Sequence, residues 1–362
     1  MSEIEINDIR TPKDFRGITF SKYKISDVKK ELLNNLSQGK IENSCNWSAE
    51  LICSGHFMDL WEIILLFSSK YIHIGNIKLP LYLNMRFDNF KDIVSGGYLN
   101  NELSMRNNNK IRKLFCELIC VLCLSDKMHS FETVKVVPED YDIKGLTNKL
   151  KAPNIGYIEP IFESGDPKEL FIALNELSYS LSKESSNSVL SCYWIEWVIE
   201  FSNICKKKKE KCECNRREFI KVDEKYQKEV IWLVWHILIH RSKEYCDLTQ
   251  RIMKSLLSLY CLKFTPAVIR RRKYLLYFAC GLCCDTLNLN KDIVKNKDMV
   301  KTVCDKLDLI YKHIKKNEVS PGTDYLFNNK INGKTNLQKT VDKLERMSKL
   351  GNMIIRDTGS ED

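Results

Sequence analysis

Two apolar segments in the second half of the chain, Ser191-Cys-Tyr-Trp-Ile-Glu-Trp-Val-Ile-Glu-Phe201 and Ile231-Trp-Leu-Val-Trp-His-Ile-Leu-Ile-His240, each carry two tryptophans three residues apart. Trp194 and Trp197 therefore share one helical face, as do Trp232 and Trp235. The surrounding Leu, Ile and Val leave these helices apolar nearly all round, so each must be wrapped by other helices. Aromatic rings also stack on unpaired bases, but core packing is the favoured role for all four. The segments are separated by a basic, cysteine-bearing stretch, Cys205-Lys-Lys-Lys-Lys-Glu-Lys-Cys-Glu-Cys-Asn-Arg-Arg217.

The same periodicity recurs along most of the chain, as in Val28, Leu32, Leu33 and Leu36, and in Leu60, Trp61, Ile64 and Leu65. An all-α fold follows. A chain of 362 residues with 44% hydrophobic content is long enough for two domains. Four of its eight prolines, Pro138, Pro153, Pro160 and Pro167, fall in one poorly periodic region after the extended-looking Phe131–Val137, which reads as a proline-containing linker. The expected division is an N-terminal helical domain at 1–137, a linker at 138–167, a C-terminal helical domain at 168–320 with the basic insert at 205–217, and a polar tail at 321–362 with one amphipathic helix near Leu337–Leu350. Segments 249–262, 266–289 and 291–316 read as helices, with Pro266 suited to a first turn after Thr265. The two halves look related. On each side a helix and polar spacer precede a Ser-Cys-x-Trp helix, at Ser44–Trp47 and Ser191–Trp194, and another tryptophan-bearing apolar helix follows.

The opening Met1-Ser-Glu-Ile-Glu-Ile-Asn-Asp is polar, unlike a secretory leader, so the 15 cysteines suggest a reducing intracellular setting rather than a disulfide framework. No run approaches the roughly 18 apolar residues of a membrane span. The net charge is +10, and residues 205–217 hold seven Lys/Arg against two Glu, so half of it sits in this insert. Lys206, Lys207, Lys208, Lys209, Lys211, Arg216 and Arg217, with Arg270, Arg271 and Arg272, are the candidate residues for an acidic partner, protein or nucleic acid. Such contacts on phosphates position a protein without reading sequence. Arg106, Lys110, Arg112 and Lys113 form a further basic group.

Cys205, Cys212 and Cys214 have the residue type for zinc, with Cys192, His236, His240 or Cys246 as a fourth ligand, but their spacing is not the paired C-x2-C of zinc ribbons. No cofactor is otherwise implied. His236 and His240 are four apart on a helix without the glutamate of a zinc protease. Glu196 and Glu200, also four apart, suit either an acid/base pair or ion pairs with nearby Lys/Arg. Cys120-Val-Leu-Cys123 and Cys280-Gly-Leu-Cys283 sit in apolar helical runs, where cysteine serves as a small hydrophobe. The chain contains no Walker A loop, G-x-G-x-x-G, G-x-S-x-G or H-E-x-x-H, so the common nucleotide-dependent and hydrolytic chemistries lack support.

In Thr11-Pro-Lys-Asp-Phe-Arg-Gly-Ile-Thr-Phe-Ser-Lys-Tyr-Lys24, Ser44-Cys-Asn-Trp-Ser-Ala-Glu-Leu-Ile-Cys-Ser-Gly-His56 and Cys192-Tyr-Trp-Ile-Glu-Trp-Val-Ile-Glu-Phe201, the chain resembles an uncharacterised protein family of nucleocytoplasmic large DNA viruses over roughly residues 10–320. The resemblance implies a viral protein of the infected host cytoplasm or the virion, and brings no catalytic residues. The order Ser-Cys-Tyr-Trp-x-x-Trp before another apolar helix is also similar to the helical collar of clamp-loader ATPases, whose nucleotide-binding motifs are absent here. The expectation is a non-enzymatic scaffold or adaptor in genome replication, transcription or virion assembly. The alternatives are a nucleic-acid-binding module using the basic insert, and an enzyme of unrecognised motif. The sequence does not fix the oligomeric state.

Overall fold

The structure, a computed structural model, describes residues 4–99, 101–132, 134–319, 337–338 and 340–345. Its α-helices in chain order are α1 (Ile25–Ser37), α2 (Ile41–Cys53), α3 (Phe57–Leu66), α4 (Leu79–Ser95), α5 (Asn109–Leu124), α6 (Ile143–Thr147), α7 (Phe171–Ser180), α8 (Ser188–Lys208), α9 (Ile231–Ser242), α10 (Asp247–Tyr260), α11 (Lys273–Cys284), α12 (Lys297–Asp305) and α13 (Leu307–Lys315). Among the described residues the only sheet-type pairing is one antiparallel bridge, Ile18 with Lys24, so the fold is all-α. No described helix is long and apolar enough to cross a membrane. Residues 340–345 are helical; most of the tail, including the rest of the helix expected at Leu337–Leu350, lies outside the described residues.

The chain forms two compact units that are discontinuous in sequence: 1–67 with 86–125 and 293–362, and 68–85 with 126–292. This grouping cuts across the boundaries read at residues 137 and 320. The reason is side-chain chemistry rather than composition, because α12 and α13 carry apolar faces, with Val300, Leu307, Tyr311 and Ile314 buried, and these pack on α2 and α5 of the first unit.

In unit 1, Val28, Leu32 and Leu36 form the buried stripe of α1, the face that the sequence spacing marks. The helix stops at Gly39, whose φ of +70° favours glycine. Gly39 N–H donates to Leu36 O at 3.2 Å and Lys40 N–H to Asn35 O at 3.0 Å, so the last carbonyls are satisfied and the chain turns straight into α2. Trp61 of α3 is fully buried and meets Phe87 edge-on at 4.9 Å and Phe115 at 5.6 Å. The N-terminal strand of chain is lashed down by two buried arginines. Arg106 donates to Asp8 O at 3.0 Å, and Arg112 donates to Ile4 O at 3.1 Å and to Arg106 O at 2.6 Å.

In unit 2, the tryptophans are core residues: Trp194, Trp232 and Trp235 are fully buried and Trp197 is 4% exposed. Trp197 stacks on Phe201 at 5.2 Å and donates its indole N–H to Asp140 O at 3.0 Å. Residues 138–167 do not hang free as a linker. Glu176 of α7 accepts from the backbone N–H of Lys151 at 2.8 Å and Ala152 at 3.0 Å, Asn175 accepts from Tyr157 N–H at 3.1 Å, and Ser178 donates to Tyr157 O at 2.8 Å. Three polar residues of one short helix therefore hold the proline-rich stretch in place by meeting its backbone groups.

Both units contain the same local arrangement around their Ser-Cys-x-Trp helices. Ser44 donates to Lys40 O at 2.7 Å and lies 3.5 Å from Cys123 Sγ. Ser191 donates to Asn187 O at 2.8 Å and lies 4.0 Å from Cys284 Sγ. In each case the following tryptophan, Trp47 or Trp194, is buried.

Candidate functional site

The basic insert is half helix. α8 continues through Lys208 and ends on Lys209, which has a left-handed φ of +60°. Glu210 N–H donates to Cys205 O at 2.9 Å and Lys209 N–H to Lys206 O at 3.2 Å. This is a glycine-type helix stop built with lysine, a strained choice for a residue with a Cβ. Lys206, Lys207, Lys208, Lys209, Lys211 and Arg216 are exposed. Lys206 pairs with Glu229 at 2.8 Å, and Lys211 approaches Glu213 at 3.5 Å. Lys207, Lys208 and Lys209 form no ion pair among the described residues.

A surface cleft of about 480 Å³ opens beside this helix end. Val198 and Ile199 of α8, Val230 and Ile231 at the start of α9, and Pro266, Ala267 and Ile269 give it apolar walls, while Lys206, Lys207 and Arg270 stand at it with one carboxylate, Glu229. Arg270, with 63% of its side chain exposed, pairs with Glu200 at 2.5 Å. Pro266 opens a single 3-10 turn that swings Arg270 toward α8, so two basic runs far apart in sequence meet at one cleft. Arg271 is exposed as well.

Two of the ten basic candidates are not available to a partner. Arg217, 3% exposed, donates to Asp166 at 2.6 and 3.2 Å, to Asn215 O at 2.9 Å and to His236 Nδ1 at 3.1 Å. Burial and the Arg217 cation hold His236 down at about 4, so it stays neutral. Arg272, also 3% exposed, donates to Tyr260 O at 2.7 Å and Leu262 O at 2.6 Å, where a cation meets the carbonyl end of α10. Arg106 and Arg112 are buried ties, as described above, whereas Lys110 and Lys113 are exposed. A formal charge read from sequence does not distinguish an arginine that reaches solvent from one that satisfies carbonyls inside.

Glu196 and Glu200 make ion pairs rather than an acid/base couple. Glu196 accepts from Tyr277 Oη at 2.6 Å and Lys273 Nζ at 2.9 Å; burial and this carboxylate push the Tyr277 hydroxyl far up. Cys205, Cys212 and Cys214 do not converge as ligands. Cys212 lies within reach of Cys205, but Cys214 donates to Glu229 O at 3.3 Å, and Cys246, offered as a fourth ligand, is exposed.

Another thiol group does converge, in unit 1. Sγ atoms of Cys45, Cys116 and Cys120 all lie within 4.8 Å of one another, the only group of three or more His, Cys, Asp or Glu donors this close among the described residues. Cys304 is within hydrogen-bonding reach of Cys116 and Cys120. Cys116 is thus at the centre of the group, within hydrogen-bonding reach of Cys45, Cys120 and Cys304. The spacing that marks the group in the sequence is not Cys120-x2-Cys123 but Cys116-x3-Cys120, the spacing of one helical face.

Together these features define an all-α protein of two helical units, one bearing a cleft with apolar walls and a basic rim. No protein-family model, curated protein or solved structure matches the chain.

Proposed function

We propose that the protein is a non-enzymatic helical adaptor or scaffold whose basic-rimmed cleft takes an acidic, amphipathic segment of a partner protein. The viral setting, with a role in genome replication, transcription or virion assembly in the host cytoplasm or virion, rests on the sequence resemblance. The observation that supports a peptide ligand is the meeting of Lys206, Lys207 and Arg270 at apolar walls formed by α8, α9 and the Pro266 turn. Apolar walls suit side chains of a bound segment, and a cationic rim suits its flanking carboxylates. A second reading, phosphate-backbone binding by nucleic acid, is favoured by the exposed, unpaired Lys207–Lys209. Since the tryptophans are buried, this mode has no stacking platform from them and depends on charge alone.

Fluorescence anisotropy with the purified chain separates the two. An acidic amphipathic helical peptide should bind, and Lys206→Ala/Lys207→Ala/Arg270→Ala should weaken it by about tenfold or more. Loss of binding on replacing the peptide's apolar residues supports the cleft; indifference to them refutes it. Binding to single- or double-stranded nucleic acid that falls steeply with salt, with no binding of acidic peptide, would move the assignment to the second reading.

A further inference from the structure

The four-cysteine group in unit 1 is remote in chemistry from the cleft and independent of the adaptor reading. α5 sets Cys116 and Cys120 four residues apart on one face, α2 supplies Cys45, and α12 supplies Cys304. Cys45 Sγ and Cys116 Sγ are 3.9 Å apart, the three buried sulfurs lie within a 4.8 Å triangle, and Cys304 closes on Cys116 and Cys120. All four are free thiols. In a tetrahedral zinc tetrathiolate, bonds of about 2.3 Å place the sulfurs about 3.8 Å apart. The Cys45–Cys116 pair already stands at the edge length such a centre requires, and the other separations among the three buried sulfurs exceed it by at most about 1 Å. A polynuclear iron–sulfur cluster would need them farther apart.

We infer that Cys45, Cys116, Cys120 and Cys304 form a structural site for one zinc ion, which ties α12 to α2 and α5. On binding, four Zn–S bonds form and four S–H bonds break, with the protons passing to solvent; nothing is oxidised or reduced. A closed set of four thiolates leaves no position for water or substrate, which makes the site structural rather than catalytic. The centre carries a net charge of −2. A buried cation stands nearby: Arg112 lies 3.9 Å over the ring of Tyr311, and Tyr311 is in electrostatic range of Cys45 and Cys116. Because α12 comes from a stretch of chain far from α2 and α5, the ion would close a long loop, and it belongs to the folding of unit 1.

The full chain, purified with reductant and without chelator, should contain one zinc per chain by elemental analysis. Cys116→Ser/Cys304→Ser should lose it, and Cys212→Ser should retain it. Alkylation of the unsubstituted chain gives a readout that does not depend on a variant folding: Cys304, half-buried, should be protected with zinc bound and react after chelation, while exposed Cys246 reacts in both states. Cobalt exchanged into the site should give the ligand-field and charge-transfer bands of a tetrahedral thiolate centre. The inference is overturned by a reduced chain that binds neither zinc nor cobalt, by zinc retained in the Cys116→Ser/Cys304→Ser protein, by zinc lost in Cys212→Ser, or by iron in place of zinc.

Discussion

Removing the carboxylate of Asp166 should be among the most damaging single changes in unit 2. Its side chain is fully buried and accepts from Arg217 Nη1 and Nη2 at 3.2 and 2.6 Å, from Asn215 N–H at 2.9 Å and from Glu163 N–H at 2.8 Å. Asp166→Ala leaves a guanidinium with only 2% of its side chain exposed facing no buried counter-charge, together with two backbone donors lacking an acceptor. Breaking a buried ion pair from one side costs about 3–5 kcal/mol. Glu163, 3.3 Å from Arg217 but 46% exposed, is solvent-screened and recovers at most about 1 kcal/mol. For a unit of this size the loss corresponds to a melting point roughly 6–20 °C lower. The assay is urea unfolding followed by tryptophan fluorescence, which Trp194, Trp197, Trp232 and Trp235 report from the core. Asp166→Ala/Arg217→Met, which removes both charges, should be less destabilised than Asp166→Ala alone. A cost below about 1 kcal/mol for Asp166→Ala, or equal costs for the single and double variants, would refute the assignment of Arg217 as a structural tie.

Three other perturbations test separate features. Lys209→Gly relieves the left-handed lysine at the end of α8 and should stabilise the protein by up to about 1 kcal/mol in urea unfolding; destabilisation would count against the strained helix stop. At Gly75 an added Cβ would run into the backbone carbonyl of Asp126, so Gly75→Ala should cost about 1–3 kcal/mol in thermal unfolding, and a neutral effect would contradict that close approach. Burial holds His73 down at about 4 from an ordinary 6.5. Between those values the unfolded chain binds a proton that the folded chain refuses, so stability present above pH 6.5 is lost as pH falls toward 4, by up to about 3 kcal/mol. The dependence of urea midpoints on pH across 4–7 should become shallower in His73→Gln, with the remainder due to His236, which is held down likewise; an unchanged slope in that variant would show that other groups set it.

What the sequence made legible was the helical class and the tryptophan cores, because both rest on local periodicity: Val28, Leu32 and Leu36 mark a buried stripe without knowledge of what covers it. The role of Arg217 was not legible, since it depends on Asp166, fifty-one residues away, and a basic run looks the same whether its last member is solvated or buried. The cleft is a similar case. Lys206 and Arg270 are both visible as charges, but only the path through α9, α10 and the Pro266 turn puts them at one opening. The thiol cluster draws on three helices spread over 260 residues, and no spacing rule spans that distance.

The discontinuity of unit 1 bears on how the chain is made. Unit 2 has all of its residues once position 292 has been synthesised, whereas the first unit holds α1, α2, α3 and α5 early and then waits for α12 and α13. At about 5–20 residues per second that wait is roughly 10–40 s. During it, the apolar faces of α2 and α5 that those helices cover stay open to solvent, the period in which a nascent chain is most prone to aggregate or to engage a chaperone. A chain truncated after residue 292 should accordingly keep a protease-resistant fragment from unit 2 while residues 1–67 are digested, so helices born late would govern whether the portion born first survives.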